Sequence, residues 1–301
     1  GCGAGELSPT DCWTVSELME EDFEHALLSA IQERLHENDG MPPWSEGDLV
    51  AAALDGDGDR CLLIEATVDG LAVVDGDTMA YEWSQALLQT EVDELTTAYS
   101  IESDLSLPAA LDRLGTKGIQ TAVGDRWLAD ALISSIGIGE TIPGVVGCED
   151  SGHLVLPCPH PVKVSHWGLV GDGAATLLAI LSARAALGES RQILRAGWKN
   201  RKSVTDVDRS LWNGRNALAE EVEDMVRTML SGHLLDRTEI SGESNLLLLE
   251  GTGPKGRVSV GIRNSGTQAK TTVSLRSEGE NLDELMDALV ILLTERLVVK
   301  G

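Results

Sequence analysis

Asp55, Asp57 and Asp59 alternate with Gly56 and Gly58 and end on Arg60, between apolar runs at 49–54 and 61–64. Two carboxylates about 4 Å apart repel by roughly 4 kcal/mol at an effective dielectric near 20, so this spacing calls for an offsetting charge. Alternate residues of an extended segment point the same way, which lets the three side chains converge on one point. Gly56 and Gly58 remove side chains that would crowd that point and permit unusual dihedrals. Converging carboxylate oxygens on a tight loop suit a hard cation, Mg2+ or Ca2+. An EF-hand needs Gly at its sixth position and an acid at its twelfth; counted from Asp55, these are Arg60 and Ala66. Arg60 adds a guanidinium suited to an anion, most simply a phosphate shared with the cation. The plain alternative is a solvated acidic turn, and the metal–phosphate reading is preferred to it.

Two further loops carry polar chemistry. In 147–153, GCEDSGH, Glu149 and Ser151 lie between apolar runs, followed by Gly152 and His153. A carboxylate and a hydroxyl together can grip neighbouring hydroxyls of a polyol. Alone, such a stretch is more often an ordinary loop. In 263–270, RNSGTQAK, the side chains of Arg263, Ser265 and Thr267 and the backbone N–H groups around Gly266 make a phosphate cradle. A hairpin turn of the same composition is common.

The elements that must hold these loops follow from periodicity. Leu18, Phe23, Leu27, Ala30, Ile31 and Leu35 predict one helix over 17–37. The stretch around the aspartates reads strand, loop, strand. Residues 71–90 read strand, turn, then a helix from near Asp77, and 105–115 reads as a helix stopped by Gly115. A strand at 118–124 precedes a helix at 125–137 capped by Asp125; 144–156 reads strand, loop, strand; 171–188 is a long helix. This alternation over 50–190 is the α/β signature. After 198 come a helix at 216–230, four short β-like runs and a final helix at 282–299, which make a small α+β domain.

Composition narrows the partners. The chain has 301 residues, enough for two or three domains, and a net charge of −26. Nucleic acid is excluded as an expected partner, since a phosphate backbone needs a basic footprint. Neither a membrane-length apolar run nor a leader is read in the sequence, so a soluble cytoplasmic protein is expected. Five cysteines with no C-x-x-C pair argue for free thiols. Seven lysines against sixteen arginines lean weakly toward a saline habitat. His160 and His166 have poor spacing for a zinc pair, and the tryptophans are expected in the core or at interfaces.

In this order, the three loops resemble those of the α-D-phosphohexomutases: a metal loop, a sugar loop usually written G-E-x-S-G-H, and a phosphate loop R-x-S-G-T-E-P. VDGDTMAY (74–81), VGDRW (123–127) and GDGAATLLAIL (171–181) agree with the family. The resemblance implies an α/β fold: a truncated second family domain over 1–76, a third over 77–198, and a smaller α+β C-terminal domain over 199–301. It implies a mutase interconverting hexose 6-phosphate and hexose 1-phosphate through a bisphosphate. Mg2+ would be held by Asp55, Asp57 and Asp59, with Arg60 stabilising the phosphoryl group. Sugar binding would fall to Glu149, Ser151 and His153, and phosphate binding to Arg263, Ser265, Gly266 and Thr267. The expected partner is a hexose phosphate, without nucleic acid or membrane, in a monomer or homodimer. Nothing in the sequence matches the family's phosphoserine motif, T-A-S-H-N-P. The chain therefore reads as a fragment that does not turn over alone and exposes a sheet edge beside residues 1–5. Ala122 stands where a lysine is usual, Asn264 and Ala269 where prolines are, and Gln268 where a glutamate is. The alternative is a non-catalytic sugar-phosphate-binding remnant. An aspartyl-phosphate phosphatase is set aside because Gly58, not Thr or Val, follows Asp57.

Overall fold

The computed structural model describes residues 6–92, 94–136, 141–266 and 268–298. The described residues form a mixed α/β structure with three sheets. The chain opens with β1 (Cys12–Thr14), α1 (Val15–Glu20), α2 (Ala26–Glu37), β2 (Leu49–Leu54), β3 (Cys61–Ala66) and β4 (Gly70–Val74). These strands form an antiparallel sheet in the order β1-β4-β3-β2. In β3, Cys61, Leu62, Leu63 and Ile64 are all buried, as in a strand covered on both faces. Leu62 and Ile64 pack with Leu18, Leu28, Ile31 and Leu35 of α1 and α2.

One helix was expected over 17–37, and two are present. The break at Glu21–His25 is stabilised locally: the Gln32 side-chain amide donates to Leu18 O at 2.8 Å and Glu21 O at 2.7 Å, occupying carbonyls at the end of α1. A Thr14–Glu17 capping box starts α1. The apolar period runs unbroken through the bend because both helices bury the same side.

The chain continues with α3 (Gly76–Leu87), β5 (Thr96–Ser100), α4 (Ser106–Leu114), β6 (Lys117–Thr121), α5 (Asp125–Leu132), β7 (Val145–Cys148), β8 (Leu154–Pro159), β9 (Trp167–Gly171) and α6 (Gly173–Leu187). The second sheet runs β6-β5-β7-β8-β9, with β5 parallel to β6 and β7 and the remaining pairs antiparallel. Leu128 and Leu132 of α5 pack on Ala98, Val145 and Val155. The cap of α5 is Gly124, at φ 119°, rather than Asp125. Asp125 is the first helical residue, where a carboxylate favours the dipole without closing the turn.

The last stretch is β10 (Trp198–Thr205), α7 (Ala217–Met229), β11 (Leu234–Arg237), β12 (Leu247–Gly253), β13 (Gly256–Asn264), β14 (Lys270–Ser277) and α8 (Asp283–Leu297). Its antiparallel sheet is ordered β10-β14-β13-β12-β11. Val258, Val260 and Ile262 alternate along β13, and with Val273 and Leu275 they pack on Leu285, Met286, Leu289 and Leu293 of α8. By contacts, the chain divides into one unit of Gly1–Ser103 with Ala110–Leu194 and a second of Asp104–Ala109 with Arg195–Gly301. No helix of the described residues is long and apolar enough to cross a membrane. The sheet edge expected beside residues 1–5 lies outside the described residues.

Within the first unit a charged cluster ties β3 to α3 and α6. Arg184 reaches both oxygens of Glu82, at 2.7 and 2.9 Å, and also Glu65. Arg191 lies 2.9 Å from both Glu65 and Glu82. The Glu82 side chain is almost wholly buried. Removing one partner of a buried pair typically costs about 3–5 kcal/mol, because the other charge stays buried. Arg184→Met is therefore expected to lower the unfolding free energy by about 3 kcal/mol, read from urea melts. An unchanged urea midpoint would show that the cluster does not hold these elements together.

Candidate functional site

The metal-loop residues lie between β2 and β3. One carboxylate oxygen from each of Asp55, Asp57 and Asp59 lies within 4.8 Å of the others, the arrangement expected of cation ligands. The convergence arises differently from the alternation expected of an extended segment. Residues 55–60 turn, and Asp55 closes the turn by accepting the backbone N–H of Gly58 at 3.1 Å and of Arg60 at 3.2 Å. Gly58 adopts φ 79°, which requires glycine or strain. A Cβ at Gly56 or Gly58 would meet nothing within 4 Å, so crowding is not why glycine stands there.

Arg60 Nε donates to Asp55 Oδ2 at 2.7 Å and stands 3.8 Å from Asp59 Oδ1. Its side chain is 38% exposed. Burial would raise the Asp55 carboxyl, but hydrogen bonds from the Arg60 backbone and guanidinium outweigh it and lower the value to about 2. The Asp59 carboxyl moves the other way. Burial, contact with Asp55 and the charges of Asp55 and Asp57 raise it, against the pull of His153. Asp59 Oδ1 is buried and accepts no hydrogen bond. One carboxylate of the trio is thus neutralised by Arg60 while its neighbour stays electrostatically strained, a donor set that fits a divalent cation.

Two helix starts brace the loops. Asp172 and Asp75 cap α6 and α3, and each is followed by a glycine at the first helical position. Gly173 N–H donates to Gly58 O of the metal loop at 2.8 Å, and Gly76 N–H to Asp150 O of the sugar loop at 3.2 Å. These amides have no partner within their helices. A Cβ at Gly173 would come within 2.6 Å of Arg60 O, and one at Gly76 within 1.9 Å of Glu149 O. The Asp-Gly pairs at 75–76 and 172–173 were the sequence signal for this bracing.

In the sugar loop, Glu149 Oε1 accepts the Gly124 N–H at 2.5 Å, and Ser151 Oγ stands 3.5 Å from Glu149 Oε2. Burial raises the Glu149 carboxyl, Glu102 and Asp150 add to the rise, and Gly124 opposes it. Gly124 was missed as a site residue, although it sits in the VGDR segment. The two loops join through a β-bridge between Arg60 and His153, and through Cys61 N–H donating to Gly152 O at 3.0 Å. His153 is buried, with Nδ1 3.5 Å from Asp59 Oδ2. Ala122, in the usual lysine position, is buried just after β6.

In the second unit, Arg263 is the penultimate residue of β13, and Ser265 and Gly266 follow in the hairpin to β14. Thr267 lies outside the described residues. Ser265 N–H donates to Lys270 O at 2.9 Å, and Gln268 N–H to Ser265 Oγ at 3.2 Å. Asn264, a departure from the family pattern, anchors the hairpin. Its amide donates to Arg209 O at 2.9 Å and Trp212 O at 3.0 Å, and its oxygen accepts Thr271 Oγ1 at 2.8 Å. Proline there would lose all three side-chain bonds.

Residues 75–200 match the family described as phosphoglucomutase/phosphomannomutase, alpha/beta/alpha domain III. The chain is 31% identical over 246 residues to the phosphoglucosamine mutase of Kineococcus radiotolerans, covering 77% of this chain and 48% of that one. With the phosphoglucosamine mutase of Lactobacillus delbrueckii subsp. bulgaricus, identity is 27% over 215 residues, covering 69% and 43%. The fold is similar to that of an N-acetylglucosamine-phosphate mutase of the alpha-D-phosphohexomutase superfamily, solved in its substrate complex. The TM-score is 0.59 at 16% identity, covering 87% of this chain and 52% of that one. An Aspergillus fumigatus N-acetylphosphoglucosamine mutase, solved with GlcNAc-6P and magnesium, gives a TM-score of 0.55 at 14% identity, covering 88% and 52%. The chain spans about half the length of the curated relatives it matches.

The charge crowding at Asp59 has a measurable sign. A carboxyl raised by the fold contributes stability where it is protonated; that contribution is lost as pH rises from the unfolded value, about 3.9, through the folded one. Asparagine mimics the protonated form. In EDTA at pH 7, Asp59→Asn should therefore unfold at higher urea than the parent. The gap should close as pH falls toward about 3. A variant less stable than the parent at pH 7 would overturn the crowding argument.

Proposed function

Because this chain belongs to the α-D-phosphohexomutase family, we propose that it carries the metal-, sugar- and phosphate-binding apparatus of a mutase interconverting hexose 6-phosphate and hexose 1-phosphate through a bisphosphate. Phosphoglucosamine mutase is the preferred type, since the most similar relatives reported above bear that name. The observation that carries the reading is the joining of the metal and sugar loops by the Arg60–His153 bridge beside three converging carboxylates.

Asp55, Asp57 and Asp59 would hold Mg2+, which when bound neutralises charge on a transferring phosphoryl group. Arg60, anchored on Asp55 through Nε, would offer the rest of its guanidinium to the same group. Glu149 has one oxygen fixed by Gly124, so its other oxygen and the Ser151 hydroxyl would read sugar hydroxyls. Arg263, Ser265, Gly266 and Thr267 would grip the phosphate that is not reacting. Binding energy from that remote group orients the reacting end. The working partition into 1–76, 77–198 and 199–301 assigns one loop to each part.

The test is calorimetric titration of the chain with glucosamine, mannose and glucose 6-phosphates in Mg2+. Saturable binding is expected. Charged hydrogen bonds contribute roughly 1.5–3 kcal/mol, so Arg263→Ala should weaken affinity about ten- to a hundredfold. Glu149→Ala should weaken hexose phosphate more than inorganic phosphate. Absence of hexose-phosphate binding, or equal losses for the two ligands in Glu149→Ala, would remove the reading.

A further inference from the structure

β10, β14 and β13 lie side by side in that order, and none of the three contains an acidic residue. The whole chain has 49 acidic residues against 23 basic ones, so these strands run against its composition. Alternation sorts their side chains onto two faces. Val204, Ile262 and Val273 turn into the core shared with α8. On that same side of β10, Lys202 Nζ donates to Asp287 Oδ1 of α8 at 2.7 Å, and the Asn200 amide donates to Asp283 at 3.0 Å. The opposite face carries Arg201 and Ser203 of β10, Thr272 and Ser274 of β14, and Gly261 and Arg263 of β13. Register sets them in two rows: Ser203, Thr272 and Arg263 are cross-strand partners, and so are Arg201, Ser274 and Gly261. The Ser203 and Thr272 hydroxyls lie 3.2 Å apart. Arg201 and Arg263 therefore stand diagonally across β14, on strands two spacings of about 4.8 Å apart. Two arginine side chains can bridge that span from opposite sides, and Gly261 puts no side chain between them. Arg201 is exposed and Arg263 half-buried. Lower on this face Arg276 is already anchored, donating to Ser259 Oγ at 2.6 Å and to Glu250 at 3.2 Å.

We propose that Arg201 is a second phosphate-binding guanidinium, which with Arg263 holds the phosphate of a sugar phosphate over Thr272 and Ser274 on this sheet face. The proposal rests on the reading of Arg263 as a phosphate contact, and it extends that contact from the β13–β14 hairpin onto the strands beside it. A phosphate dianion has oxygens enough for two planar forks. The field of a chain with net charge −26 opposes an approaching anion, and a face without carboxylates on three adjacent strands relieves that locally. The plain alternative is that the basic residues of β10 only guard a sheet edge against pairing with another chain. Edge protection makes no distinction between Arg201 and Lys202, which lie on opposite faces of one strand; phosphate binding does.

The experiment is calorimetric titration of the full 301-residue chain with inorganic phosphate and with glucosamine 6-phosphate. Arg201→Gln should weaken both ligands about tenfold, the loss of one charged hydrogen bond. Lys202→Gln, which removes the same charge from the other face, should stay within about twofold of the parent. Affinity lost in Arg263→Ala but kept in Arg201→Gln overturns this inference and leaves the reading of Arg263 standing. Equal losses in Arg201→Gln and Lys202→Gln also overturn it, since they mark a diffuse charge effect. No binding of either ligand by the parent brings down both. Should the variants unfold, the 15N resonance of the Arg201 Nε–H group in the parent decides: a shift on saturation with phosphate supports the contact, and an unmoved resonance refutes it.

Discussion

Three carboxylates with one oxygen each within 4.8 Å of the others repel one another, and the surrounding structure has to offset that repulsion. Most of what surrounds them serves to hold them there. Arg60 and two backbone amides neutralise Asp55, while Asp59 keeps a raised carboxyl and a buried oxygen without a hydrogen bond. A chain of net charge −26 gains nothing from such crowding unless a cation completes it. Asp55 closes the loop from within, and further bracing comes from elements far away in sequence.

That bracing has a common form, the start of a helix. The first amides of α6 and α3 donate to carbonyls of the metal and sugar loops, and the cap of α5 donates to the Glu149 carboxylate. Amides at these positions lack partners within their own helices, so an outside acceptor satisfies them at no cost to the helix. They also carry the positive end of the dipole, which suits acidic loops. Close approach demands glycine at 173 and 76, since any Cβ there would strike a backbone carbonyl. The buried Glu65–Glu82–Arg184–Arg191 cluster then ties β3 to the two helices whose starts do the bracing.

The sequence made the chemistry more legible than the mechanics. Loop motifs announced themselves because their residue types are costly and specific, and alternation of period announced the α/β order. The split of the 17–37 helix was hidden, because Gln32 caps α1 from fourteen residues away and leaves the apolar period intact. β10 was unread as a strand: its stretch, WKNRKSVT, is an edge strand rich in basic and polar residues. The packing of His153 could not be read, since facing Asp59 depends on the Arg60–His153 bridge and on the space left by Gly171. Gly124 gave no signal of its own, as its contribution is a backbone amide.

Ala122 shows how a departure from the family pattern shifts the demands on other residues. Its side chain is buried, and Thr121 Oγ1 donates to its carbonyl at 3.0 Å. A lysine there would have to run out of the core to bring its ammonium to a ligand. With alanine, the basic residues within the quoted metal, VGDR and R-x-S-G-T motifs are all arginines: Arg60, Arg126 and Arg263. Arg126 stacks over Trp127 at 4.7 Å from the ring centroid. A lysine is a mobile point charge, whereas arginine offers a planar fork whose geometry must match its anion. Recognition built on forks depends on orientation, and orientation is what Asp55 supplies to Arg60 through its Nε. The contact that neutralises Asp55 therefore also aims the guanidinium that lies beside the three converging carboxylates.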